Sequence, residues 1–254
     1  MTRPLHLGLA SGLVGATLLG ASPAQAQPST APLTGFAGHA ETLGRGNGIV
    51  GVFRPLTIAA SDKVDLSTSG LASLVAPRLD AKVNLIRDFG GAVAVTGGVG
   101  VPTVGLRLLR GTVLPSDPTL TVGPGVVVKG GIVGTLRNGD SATSLGVELR
   151  TGGHTGTLGA VDLPFVGQSL APFLEGPVLR WRWVTDIALR RNLVFTNDLA
   201  IQVGAGGPDA LWRTFLLGGT NHVAAGVGWA IADEELGWGR DSLGFPLADV
   251  QARW

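Results

Sequence analysis

Cysteine and tyrosine are both missing from the 254 residues. Without cysteine there is no disulfide framework and no thiolate metal site. Charge is scarce too. Asp, Glu, Lys and Arg make up 15% of the chain, against about 25% in a typical soluble protein. The 19 basic residues nearly balance the 18 acidic ones, so the net charge gives no reason to expect nucleic acid as a partner. Past the N-terminus no unbroken apolar run reaches the ~20 residues that a spanning helix needs. Yet the mean hydropathy is positive, +0.35. The apolar residues must therefore be spread in a pattern other than long runs. Glycine, by contrast, is abundant, at 41 residues.

The first stretch, MTRPLHLGLASGLVGATLLGASPAQA, has a basic start at Arg3, a short Gly-broken apolar centre and the small-residue ending Ala24-Gln25-Ala26. That layout predicts a secretory signal peptide over residues 1–26, cut after Ala26. The competing reading is a membrane anchor, for which the apolar centre is too short. Residues 27–34, rich in Pro, Ser and Thr, read as a flexible lead, and 35–254 as one domain.

That domain repeats a single pattern: an alternating segment, a turn and an alternating return. In the segment from Pro177 to Val203, Leu179, Trp181, Trp183, Thr185, Ile187 and Leu189 share one face, and Arg180, Arg182, Asp186 and Arg190 the other. After Arg191-Asn192 the chain returns with Leu193, Phe195, Leu199, Ile201 and Val203 opposed by Thr196, Asp198 and Gln202. Period-two alternation is the mark of a strand with one apolar face. Each arm is about a dozen residues, longer than the ~5–6 of globular strands and near the ~9–11 of a tilted strand crossing a bilayer. Similar pairs are Gly125–Leu136 with Ala142–Arg150 around Asn138-Gly139, a strong tight-turn signal, and Leu79–Ile86 with Gly91–Val99. Ile49–Ala59 pairs with Val64–Ser69, and Pro55 reads as a bulge in the first of these. Phe36–Leu43, His222–Ile231, a weak stretch at Leu236–Arg240 and the last residues complete a set of twelve, or ten if weak segments drop out.

The connections alternate in length. Short turns are expected at 60–63, 87–90, 138–140, 191–192 and 232–235, and longer loops at 100–124, 151–176 and 204–219. An even number of antiparallel strands with short turns at one end and long loops at the other predicts an all-β transmembrane barrel of outer-membrane type. A closed barrel satisfies every backbone group in lipid without leaving an edge. A soluble exported β-sandwich is the alternative; its strands would be shorter.

The segment FPLADVQARW places Ala248, Val250, Ala252 and Trp254 on one face and Asp249, Gln251 and Arg253 on the other. It resembles the last strand of Gram-negative outer-membrane β-barrel proteins. The resemblance implies an assembly signal carried by Phe245, Val250 and Trp254, read by the barrel-assembly machinery, with outer-membrane lipid as the other partner. AETLGRGNGIVGVFRPLTIAASDKVDLSTS, followed by VPTVGLRLLRG and LPSD, is similar to an uncharacterised group of exported barrel-like proteins. That likeness spans Ala40 to Asp117 and implies a fold but no chemistry.

On the predicted inner face lie Asp65, Asp80, Lys82, Asn84, Lys129, Arg137, Glu148, Arg150, Arg180, Arg182, Asp186, Arg190, Asp198, Asp249, Gln251 and Arg253. Mixed charges there read first as cross-strand pairs filling a lumen. The sharper reading takes Arg180, Arg182 and Arg190, with Asp186, Lys82, Lys129 and Glu148, as candidate solute-binding charges of a pore, the arginines favouring anions. Gly226, Gly228 and Ala230 leave space. An outer-membrane lipid hydrolase or a surface adhesion protein is the functional alternative. A hydrolase needs a nucleophile beside a histidine. His39, His154 and His222 are available, but His39 with Glu41 and His154 with Ser169 have no motif spacing, and GQSLA at 167–171 lacks the second glycine of an elbow. No catalytic residue, metal site or cofactor is assigned. The apolar loop Val161–Phe173 is read as packing across the barrel mouth, with folding inward as a constriction, lying on the outer leaflet or meeting a partner as alternatives.

Overall fold

The computed structural model describes residues 38–52, 54–68, 77–88, 90–103, 107, 121, 123–157, 172–173, 176–220, 222–232 and 244–254. Residues 1–26 and 27–34 therefore lie outside the described part, as do Phe36, Leu236–Arg240 and most of Val161–Phe173.

Twelve antiparallel strands pair in sequence order, and the last closes on the first. They are β1 (Gly48–Gly51), β2 (Thr57–Ser61), β3 (Val64–Thr68), β4 (Arg78–Arg87), β5 (Gly91–Gly100), β6 (Gly125–Asn138), β7 (Ser141–His154), β8 (Val178–Arg190), β9 (Leu193–Gly204), β10 (Gly207–Gly219), β11 (Val223–Ala232) and β12 (Phe245–Arg253). Closure excludes the sandwich, which has two open sheets. From β4 to β11 the strands are 10 to 14 residues long.

The number matches the expectation, but two members of the set and one expected loop differ. Phe36–Leu43 is not the first strand: the described residues 38–47 form no strand, and 38–43 run inside the barrel. Ile49–Ala59 is not one bulged strand. It divides into β1 and β2, with Pro55 in the connection, because proline has no N–H for a ladder. Gly204–Gly219 is not a loop. It is a tight turn at Ala205-Gly206 followed by β10. Both faces of β10 carry apolar side chains, Leu211, Phe215 and Leu217 on one and Trp212 and Leu216 on the other, so no alternation announces it.

Side chains opposite each other in an antiparallel pair point to the same side. One outward row runs Leu145, Trp183, Leu199, Trp212, Ile231 across five strands. The neighbouring inward row runs Gly146, Arg182, Ala200. Outward apolar residues are widely exposed: Leu145 60%, Trp183 54%, Val227 66%, Val250 58%. Inward polar residues are buried: Asp198 0%, Gln251 1%, Asp249 2%. The polarity of a water-soluble protein is inverted.

Short connections at Asp62-Lys63, 88–90, Gly139-Asp140, Arg191-Asn192 and 220–222 lie at one end, with Gly48 and Trp254. The connections that follow β1, β3, β5, β7, β9 and β11 start from the other end. The connection after Ala232 thus belongs to the long-loop end, not the short-turn end as expected. At the seam, Gly48 and Trp254 exchange backbone hydrogen bonds of 3.0 and 3.2 Å. A Cβ on Gly48 would collide with the Trp254 indole, so glycine lets that ring lie across the closing strands.

Candidate functional site in the barrel lumen

The lumen has two layers. In the layer nearer the short turns, Gly38–Leu43 lies within the barrel, and the exposed turn 45–47 leads out to β1. Ala40 is fully buried against Ala92 and Ala94 of β5 and Val133 of β6; the small side chains of β5 leave room for it. Asn84 donates to the Ala40 carbonyl at 3.1 Å. Lys82 donates to the carbonyls of His39 and Glu41 and pairs with Asp65 at 3.0 Å. Glu41 meets Arg137 at 2.6 Å. Burial opposes its charge, but the Arg137 guanidinium and hydrogen bonds outweigh that and hold the carboxyl below its usual range.

His39 is the centre of a directed hydrogen-bond chain. The Ala40 N–H donates to Thr135 Oγ1 at 2.7 Å, and Thr135 and Ser144 hydroxyls are 2.6 Å apart. Ser144 Oγ is 2.6 Å from His39 Nδ1, and His39 Nε2 is 2.8 Å from Asp186 Oδ2. Thr196 donates to Asp186 Oδ1 at 2.6 Å. With the proton on Nε2, Thr135 donates to Ser144, Ser144 to Nδ1 and Nε2–H to Asp186, so every group in the chain is satisfied. Ser144 is 1% exposed. The serine meets Nδ1 and the carboxylate Nε2, the reverse of the arrangement in the serine-protease triad.

The layer nearer the long loops is a ladder of charge. Arg182 forks onto Asp198 at 2.9 and 3.1 Å, and Arg213 reaches the same carboxylate. Gly146 and Ala200 flank Arg182 in register and leave space for its guanidinium. Lys129 bridges Asp80 at 2.9 Å and Glu148 at 3.3 Å. Arg78 pairs with Asp80 at 3.0 Å, and Arg150 with Glu148. A Cβ at Gly98 would run into Asp80 and Lys129, so this glycine admits their contact. Arg78, Lys129, Arg150, Arg180, Arg182 and Arg213 face Asp80, Glu148, Asp198 and Asp209, leaving a formal excess of two positive charges. A cleft opens beside Arg78, Asp80, Lys129 and Arg150.

The predicted inner charges thus fall into separate places. Lys82 and Asp186 hold the N-terminal segment. Lys129, Glu148, Arg180 and Arg182 line the upper ladder. Arg190 does not join them. A register shift between Ala188 and Arg190 pairs it with outward-facing Leu193, and the extra residue reverses its side. Ser144 was not singled out from the sequence. Its parity within Ala142–Arg150 puts it on the inner face, but only the register and the inserted segment bring it to His39. Asp249 and Gln251 are also buried inside, Asp249 accepting from the Val52 N–H at 2.7 Å. At the long-loop mouth, Phe173 is 1% exposed and stacks on His154 at 4.7 Å. This end of the apolar loop therefore packs inward.

Among the described residues no cluster of His, Cys, Asp and Glu could hold a metal ion, and no helix is long and apolar enough to cross a membrane. No family model matches the sequence, and no curated protein does. Among solved structures the chain is similar to the NanC porin, at 7% identity and a TM-score of 0.47, over 82% of this chain and 95% of that one. It is also similar to OmpT of Vibrio cholerae, at 10% identity and 0.39, over 79% and 64%. LpxR from Salmonella typhimurium is matched at 10% identity and 0.35, over 82% and 88%. At these scores the barrel assignment rests on the strand pairing of this chain.

Proposed function

We propose that this chain is an outer-membrane β-barrel of the small-solute channel type, exported by a signal peptide cut after Ala26. The observation that carries the reading is the inversion of polarity: an apolar outer wall surrounds a charged, hydrogen-bonded interior. Apolar surface of this extent has no stable solvent except lipid. The closed ladder leaves no strand edge to be satisfied in the bilayer. The N-terminal segment from Gly38 to Leu43 sits in the short-turn half of the lumen and narrows it, so conductance depends on how it is seated. The last strand serves as the signal to the assembly machinery.

Unboiled and boiled protein should run apart on a denaturing gel, and purified protein should give steady steps of current in planar bilayers. Extraction from membranes by carbonate or salt alone would sink the membrane reading. A folded, membrane-resident barrel without current would sink the channel reading and leave a structural or adhesive role.

A hydrolytic reading has one observation behind it, the Ser144–His39–Asp186 chain. Against it stand the burial of Ser144 and its second hydrogen bond to Thr135. If the chain is an anchor, neither wild type nor Ser144→Ala releases fatty acid from phospholipid. Release by wild type that the variant loses would establish the enzyme instead.

A further inference from the structure

Among the buried polar atoms of the upper lumen that lack a hydrogen-bond partner, three lie on the adjacent strands β7, β8 and β9. Arg180 on β8 makes no ion pair among the described residues, and its Nε is buried without a hydrogen-bond partner. Gln202 on β9 lies directly opposite Arg180. It is 4% exposed, and its Oε1 has no partner. Arg150 on β7 gives its Nε to Glu148, while its Nη1 is buried and unpartnered. Arg150 pairs with Val178, two residues before Arg180 on the same face, so the two guanidiniums are diagonal neighbours.

The surrounding charge does not supply the missing partner. Arg182, two residues on along the same face of β8, and the diagonal Arg150 flank Arg180 with like charge, and Glu148, directly opposite it on β7, is engaged by other cations. Asp198 is already shared between Arg182 and Arg213, and Glu148 between Lys129 and Arg150. Asp209 stands opposite Gln202 and has contacts of its own. Arg180 is half-buried with its Nε out of water, and a cation so placed among cations is favoured when a counter-ion reaches it. Guanidinium groups present planar N–H pairs that match carboxylate and phosphate oxygens. The Gln202 amide, turned about its last bond, would present its N–H₂ to the same oxygen.

We propose that Arg150, Arg180 and Gln202 form an oxyanion-binding site on the wall of the upper lumen, for a small solute carrying a carboxylate or phosphate. The site names the solute class of the channel reading above and rests on it. Arg180 is its principal ligand and Gln202 sets the orientation. Arg182, committed to Asp198, stays outside it.

The test is calorimetric titration of the purified, folded barrel with inorganic phosphate and, separately, with acetate. Chloride is exchanged to hold ionic strength constant. Saturable binding of either anion is expected, and the tighter one identifies the preferred group. Arg180→Gln should weaken it at least tenfold and Gln202→Leu several-fold. Arg182→Lys should leave it within about twofold. No saturable binding of either anion to wild type overturns the proposal, whatever the variants do. Equal binding by wild type and Arg180→Gln overturns it as well. If Arg180→Gln fails to assemble, Gln202→Leu decides, since its loss removes no charge; unchanged affinity there overturns the three-residue site. Planar-bilayer current separates the two readings. Anion binding without current removes the channel and keeps the site. Current with neither binding nor block by phosphate removes the site and keeps the channel.

Discussion

At the scale of the residue, neighbours on one strand live in opposite solvents. Trp183 points outward and is 54% exposed, while Arg182 points inward to a carboxylate that is itself fully buried. Trp183→Arg places a cation on the outer wall, and in lipid this costs about 2–4 kcal/mol near the midplane. Arg182→Ala removes a fork of two hydrogen bonds to a buried charge, worth about 1.5–3 kcal/mol. Asp198 keeps Arg213, so the lower part of that range is expected. Folded fractions in liposomes and urea midpoints should rank wild type above Arg182→Ala and Arg182→Ala above Trp183→Arg. The two changes should also fail differently: Trp183→Arg in insertion, Arg182→Ala in stability after insertion. Comparable loss of insertion in both would mean that the outer wall does not meet lipid. Arg182 and Asp198 both lie on the polar parity, but the sequence did not say that one fork would join them, because partners across strands follow from register.

At the scale of the element, the N-terminal segment is held by many small contacts and no strand pairing. Ala40 is fully buried against Ala92, Ala94 and Val133. Ala40→Leu would overpack the site, a change that costs about 1–3 kcal/mol, and the segment can escape that cost by leaving the lumen. Ala40→Leu is therefore expected to raise single-channel conductance with the barrel still heat-modifiable. His39→Ala should act in the same direction. It leaves Ser144 and Asp186 with unmet bonds inside the wall, about 1–3 kcal/mol for each stranded group, so it should also lower the urea midpoint. Unchanged conductance in both variants would show that the segment does not restrict the pore. The alternating Phe36–Leu43 pattern reads as a strand because Ala40 and His39 have the polarity of wall residues. Its actual place follows from a wall of alanines that a strand-by-strand reading treats as empty space.

At the scale of the whole molecule, everything depends on closure. β1 is four residues long and pairs with β12 at Ile49–Gly51 and with β2 at Gly48 and Ile49. The seam is reinforced by the Gly48–Trp254 bonds and by the Trp254 ring lying on Gly48. Gly48→Val fills the space of that ring, and Trp254→Ala removes it. Both should reduce the heat-modifiable fraction on refolding, with Gly48→Val the more severe because it forces the indole off the closing strands and leaves that large ring to be placed elsewhere. Normal assembly of Gly48→Val would show that the indole is not part of the closure. The same seam explains the alternation in FPLADVQARW: Asp249 and Gln251 face the interior, and Val250 and Trp254 the outside.

The fold class was legible in the sequence because strand period is a local property. A single face of Leu179, Trp181, Trp183 and Ile187 needs no distant partner to be recognised, and a few such arms with tight turns imply a closed sheet once lipid is the outer solvent. The identity of the strands was legible only where the two faces differ in polarity. β10 failed that condition, with Phe215 and Leu217 inside and Trp212 and Leu216 outside. Arg190 was assigned the wrong side because one inserted residue reverses parity, and a bulge is set by cross-strand register. Inner and outer faces were thus determined locally, by composition at alternate positions. The association of His39 with Ser144 and Asp186, the isolation of Arg180 opposite Gln202 and the sharing of Asp198 by two arginines were decided by the tertiary structure. These are contacts between residues distant in the chain, and closure of the barrel at one particular register is what brings them within hydrogen-bond reach.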